Sequence, residues 1–165
     1  MDRCFAPQVA DDSRLLILGS LPGARSLAEQ RYYAHPQNQF WRLVGKVIDR
    51  DLAALDYPDR LDAIRSAGIG LWDTVAEATR KGSLDADIRL HRPSEIAALA
   101  AGLPRLRAIA FNGGTAARIG RRQLGGQPSF ALLDLPSSSP AYTLSFETKL
   151  EAWLKLRDFL QPCSG

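Results

Sequence analysis

The chain has 165 residues, 45% of them hydrophobic, and sets 17 arginines and 4 lysines against 18 acidic residues for a formal net charge of +3. That length suits a single domain over 1–165 with a true core; no apolar run nears the roughly 18 residues of a membrane span, and Met1 to Ala10 carry no secretory signal, so a cytoplasmic protein is expected. Two cysteines, Cys4 and Cys163, are too few for a metal or iron-sulfur site and are expected as free thiols, and the mild positive charge permits nucleic-acid binding without demonstrating it.

In chain order, Leu15 to Leu18 is a continuous apolar run that ends in Gly19-Ser20-Leu21-Pro22-Gly23, the pattern of a buried strand entering a loop. The next segment, Tyr32 to Trp41, gathers aromatics, amides and His35, an odd composition for a plain connector. His35 invites a catalytic reading, but a histidine before proline is equally a hydrogen-bonded structural residue. Phe40 and Trp41 read as core anchors at the start of a helix over Phe40 to Ile48, and a second helix is expected over Asp59 to Ala67. Gly68 to Trp72 is the second strand. Arg80 to Asp87 has no derivable role; Asp85 and Asp87 are a poor metal pair without a third ligand nearby, and a solvated loop fits better.

A helix over Ser94 to Ala101 leads to a third strand, Leu106 to Phe111, stopped by Asn112-Gly113-Gly114. Arg118, Arg121 and Arg122 cluster on the following helix, Thr115 to Leu124, and read as a solvated face. The fourth strand, Phe130 to Leu135, meets Pro136 and three serines. The last helix, Ser145 to Leu160, aligns Phe146, Leu150, Trp153, Leu154 and Leu160 on one face, with Ser145 placed as its cap and Glu147 complementing its dipole. Strands alternating with helices predict a three-layer α/β/α sandwich around a central, mainly parallel four-stranded sheet.

Ligands of such sheets bind beyond the carboxyl ends of the strands, which selects Gly19 to Gly23, Asn112 to Thr115 and Pro136 to Tyr142. Each alone reads as an ordinary turn; their agreement suggests a site.

These segments carry a resemblance. Gly19-Ser20-Leu21-Pro22-Gly23, Tyr33-Ala34-His35-Pro36-Gln37-Asn38-Gln39-Phe40-Trp41 and Leu135-Pro136-Ser137-Ser138-Ser139-Pro140 resemble the motifs of the uracil-DNA glycosylase superfamily, most closely its hypoxanthine-DNA (deoxyinosine) glycosylase branch, over essentially the whole domain. The related mismatch-specific uracil glycosylases carry a catalytic asparagine in the first motif, where this chain has Leu21, which cannot position water. The deoxyinosine branch offers the asparagine of the His-Pro-x-Asn segment, so the resemblance assigns catalysis to Asn38. The first motif also lacks the aspartate of the classical uracil enzymes.

The implied reaction builds positive charge on the sugar and negative charge on the departing base. A neutral amide at Asn38 would orient water, and the backbone N–H of Ser20 or Leu21 would meet the charge on the base. Asn112 can pair with the C=O and ring N–H edge that hypoxanthine and uracil share, or else cap the next helix. The resemblance has Tyr33 stack on the extruded base, with a core aromatic as the alternative. It places Ser137, Ser138 and Ser139 against DNA phosphates and the gap left by the flipped nucleotide; a serine turn without ligand is the plainer reading. No lysine lies in the three loops, so no Schiff-base step is expected, and neither metal nor organic cofactor is implied.

The expected partner is double-stranded DNA containing deaminated bases, with no membrane and no obligate protein partner. Uracil or xanthine preference, and a catalytically idle DNA-binding module, are the rival readings. A nucleotide-binding protein is disfavoured because neither Gly-x-Gly-x-x-Gly nor a Walker loop is present.

Overall fold

The computed structural model describes residues 2–80, 88–126 and 129–161; Asp85 and Asp87, with the rest of 81–87, lie outside the described residues, as does Cys163. Four strands, β2 (Leu15–Gly19), β3 (Ile69–Asp73), β6 (Ala108–Asn112) and β7 (Ala131–Leu135), form a parallel sheet in the order β3-β2-β6-β7. All four expected strands are therefore present, and the mainly parallel four-stranded sheet stands.

Side chains alternate across this sheet and feed two cores. Leu15, Ile17, Ile69, Leu71, Ala108 and Ala110 pack under Phe40, Leu43, Val44, Ile64, Trp153 and Leu156. Leu16, Leu18, Ile109 and Phe111 point the other way, against Ile96, Ala100, Ala116 and Ala117. The first layer is thus α2 (Phe40–Ile48), α3 (Tyr57–Ser66) and α6 (Phe146–Trp153); the second is α4 (Ile96–Ala101) and α5 (Gly114–Leu124). Burial on both faces is why β2, β3 and β6 are nearly unbroken apolar runs rather than alternating ones, whereas β7, at the sheet edge, is partly exposed and carries Asp134.

Ser145 caps α6 as its position predicts, accepting from the Thr148 N–H at 3.2 Å. The single helix expected over Ser145 to Leu160 is instead α6 followed by a 3₁₀ helix, Leu154–Phe159. Three residues per turn bring Trp153, Leu156 and Phe159 onto one line, and all three pack into the first core. Arg14 then ties this end to the strand layer, its guanidinium donating to the carbonyls of Leu160 (2.8 Å) and Ala67 (3.1 Å).

Three strands were not anticipated. β1 (Asp2–Arg3), β4 (Val75–Arg80) and β5 (Ile88–Pro93) form a separate antiparallel sheet in the order β1-β4-β5, with β4 leaving β3 across Thr74 alone. A short helix α1 (Ala24–Glu29) also follows the first loop. Arg118, Arg121 and Arg122 are exposed, and Arg121 pairs with Asp134 at 3.0 Å.

Candidate active site

The carboxyl ends of the parallel strands open into a cavity of about 640 Å³. Its walls include Ser20, Leu21, Tyr33, Asn38, Asn112, Ser137, Ser138 and Ser139, so every residue given a site role by the resemblance borders one space. They arrive there from β2, the connector before α2, the end of β6 and the loop after β7.

The first wall is built from backbone. Beyond β3 the chain continues alongside the first loop, Thr74 N–H donating to the Gly19 carbonyl at 2.7 Å and Val75 N–H to the Ser20 carbonyl at 2.9 Å. Gly19 has no room for a side chain: a Cβ there would sit 2.8 Å from Asp73 Oδ1 and 3.1 Å from the Tyr33 hydroxyl. Asp73 and Tyr33 therefore close over the strand end. Asp73 is 4% exposed and lines the cavity, a carboxylate that sequence reasoning missed although it ends an otherwise apolar strand.

Tyr33 has a left-handed backbone (φ 54°) and stacks on Phe40 with ring centroids 3.8 Å apart and planes 12° apart. Phe40 is fully buried, so it backs Tyr33 rigidly toward the cavity. Its neighbour Tyr32 is also buried; burial first and the Asp73 charge second push its phenol well above the ordinary value, and the neutral hydroxyl donates to the Ala6 carbonyl at 3.1 Å. His35 is exposed and borders the cavity, and its Nδ1 accepts from the Gln37 N–H at 3.1 Å, a local bond within the connector.

The opposite wall is built from side chains. Asn112 does not cap α5, whose N-cap is Gly113 without a side-chain bond. Its Oδ1 accepts from the Ser138 N–H at 2.9 Å, while its Nδ2 donates to Ser138 Oγ at 2.9 Å and to the Tyr33 hydroxyl at 3.3 Å. Asn38 Oδ1 accepts from Phe40 N–H at 3.0 Å and from the Ser138 hydroxyl at 2.8 Å. Gln39 N–H reaches the Ser138 carbonyl at 3.0 Å, Trp153 Nε1 the Pro136 carbonyl at 2.9 Å, and Lys149 Nζ the Ser139 carbonyl at 3.1 Å. Lys149 is 1% exposed, and burial lowers its pKa. Gly113 (φ +98°) lies close against Ser137, where a Cβ would meet that side chain at 3.2 Å.

The three serines are not equivalent. Ser138 is 1% exposed and its N–H and O–H both point inward, which does not suit the phosphate contact expected of it. Ser137 and Ser139 are half-buried, and their hydroxyl oxygens accept from Ser139 N–H and Ala141 N–H, each at 3.1 Å. Those bonds use oxygen lone pairs and leave both hydroxyl protons for an outside acceptor. Tyr142 and Leu144, further along the same loop, are the exposed large hydrophobic residues among the described residues. Among the described residues no lysine lines the cavity, and Arg25 does. No described helix is long and apolar enough to cross a membrane.

Residues 6–160 match the family model described as the uracil DNA glycosylase superfamily. Two curated relatives, both named hypoxanthine DNA glycosylase, come from Methanosarcina barkeri and Methanosarcina acetivorans. The first is 39% identical over 109 residues, covering 66% of this chain and 69% of the relative. The second is 39% identical over 111 residues, covering 67% and 70%. A solution NMR structure of a candidate uracil DNA glycosylase from Methanosarcina acetivorans superposes with a TM-score of 0.84 at 34% identity, over 96% of this chain and 98% of that one.

Proposed function

This chain belongs to the uracil DNA glycosylase superfamily and is a DNA N-glycosylase; we propose that it removes deaminated bases, hypoxanthine first among them, by flipping the nucleotide and directing water with Asn38. The observation that carries the reading is the joining of Asn38 and Asn112 through one serine on the wall of a single cavity. Its volume of about 640 Å³ lies inside the range of roughly 300–1,000 Å³ usual for small-molecule sites, which admits an extruded nucleotide.

Cleavage of the glycosidic bond leaves an oxocarbenium-like sugar, so electrophilic that a neutral water attacks it once correctly placed. A base strong enough to deprotonate that water is unnecessary, and Asn38, half-buried at the cavity edge, supplies placement. Fixed dipoles meet the negative charge on the departing base, a role assigned to the backbone N–H of Ser20 or Leu21. Asn112 retains one lone pair on Oδ1 for a ring N–H, and its longest bond, 3.3 Å to Tyr33, is the one to exchange for the base carbonyl. Tyr33, backed by Phe40, is the stacking platform. With no lysine on the cavity wall among the described residues, the enzyme is read as monofunctional. The hydroxyls of half-buried Ser137 and Ser139, whose oxygens accept only local backbone bonds, suit phosphate oxygens on double-stranded DNA.

Labelled duplexes carrying hypoxanthine, uracil or xanthine, treated with protein and then alkali, test this. Hypoxanthine duplexes should be cut fastest, and Asn38→Ala should lower the single-turnover rate on the order of 10³-fold while duplex binding persists. Full activity in Asn38→Ala moves the water-placing role elsewhere, and failure to process any of the three removes the enzyme reading.

A further inference from the structure

Ser138 occupies the middle of the wall, and the polarity of its bonds follows from backbone groups that can only donate. The Phe40 N–H lies 3.0 Å from one Asn38 side-chain atom, which must therefore be the oxygen. The Ser138 N–H likewise fixes the Asn112 atom 2.9 Å away as oxygen. The Asn112 nitrogen then faces Ser138 Oγ at 2.9 Å, so that hydroxyl accepts there, and its single proton goes to Asn38 Oδ1 at 2.8 Å. Donation runs one way, from Asn112 through Ser138 to Asn38.

We infer that Ser138 is a positioning residue for Asn38 rather than a contact to DNA. It occupies the second lone pair of Asn38 Oδ1, the first being held by Phe40 N–H, and so turns Asn38 into a group that offers only its Nδ2 hydrogens to the cavity. A water held there is gripped by its oxygen at a fixed point. The backbone holds the hub in place: Gln39 N–H binds the Ser138 carbonyl, and Ser138 N–H is bound by Asn112. Burial to 1% keeps the hydroxyl from any phosphate. This inference rests on the reading of Asn38 as the water-placing group.

The two roles predict opposite kinetic signatures. Acting through Asn38, Ser138→Ala should lower the single-turnover rate at saturating hypoxanthine duplex about 10- to 100-fold and leave duplex Kd within about two-fold. A phosphate contact would give the reverse, a weaker Kd and an unchanged saturated rate, and that result overturns the inference. If the alanine variant loses its thermal transition, Ser138→Cys keeps the bulk with a weak donor and should give an intermediate rate. A second readout needs no catalysis. In Asn38→Asp, carboxyl NMR titration reports the new acid, and donation from Ser138 should hold its pKa down; adding Ser138→Cys should raise it by about one unit. No change between these two proteins means that the bond is not made. Activity retained in Asn38→Ala would sink the water-placing reading and with it the catalytic consequence of Ser138, whereas the titration tests the bond itself, so the two failures are distinguishable.

Discussion

The two walls of the cavity do comparable work by different means. The loop after β2 is held by backbone bonds from the chain leaving β3, and by a close approach at Gly19 that leaves Asp73 and Tyr33 no room for a methyl group between them. The loop after β7 is held by side chains converging from elsewhere: Asn112 from β6, Asn38 from the connector before α2, and Lys149 and Trp153 from α6. A wall built from main chain is vulnerable to added atoms, whereas a wall built from side chains is vulnerable to removed ones.

Substitutions can break or sharpen that contrast. The largest effect is expected from Gly19→Ala, which drives a methyl group into Asp73 and Tyr33 and should cost about 2–3 kcal/mol by overpacking, read as a lower urea midpoint. A variant as stable as wild type would show that the first wall yields, and the contrast would be lost. Asn112→Ala takes the acceptor from a buried Ser138 N–H and should cost about 1–2 kcal/mol on the same assay. Its loss of excision should exceed what the fall in folded fraction explains.

Lys149→Met gives the smallest effect, and one that depends on pH. Burial lowers the native pKa of Lys149 below the ordinary 10.5. Between the two values the unfolded chain binds more protons than the native one, so this lysine adds stability as pH rises through that window. The difference in urea midpoint, wild type minus Lys149→Met, should therefore grow as pH rises toward 10.5. A flat difference would mean that the lysine carries no burial penalty beneath the loop.

How much of this was legible in the sequence divides along physical lines. Strands buried on both faces must be apolar throughout, which marks the runs at Leu15, Gly68 and Leu106; these and the largely apolar edge run at Phe130 each begin within two residues of an observed strand. Phe40 to Ile48 was readable to the residue, because its apolar positions recur at helical spacing. The antiparallel sheet was not readable: Val75 to Arg80 interleaves alanine, glutamate, threonine and arginine, and offers neither an apolar run nor a turn signal. In the site, the loops at strand ends could be located from composition alone. What composition could not supply was the difference among three consecutive serines, since only the register of β7 beside β6 carries Ser138 onto Asn112. Asp73 escaped for a similar reason, as a lone acid after an apolar strand signals a turn as readily as a cavity wall.

The strand order β3-β2-β6-β7 has a consequence for biosynthesis. Asn38 emerges from the ribosome a hundred positions before the serine that orients it, and α6, whose lysine and tryptophan brace that serine's loop, emerges later still. A growing polypeptide can thus assemble most of its central sheet while the cleft stays unfinished. The wall that joins Asn38 to Asn112 is closed only once the segment carrying Ser138, Lys149 and Trp153 has been made.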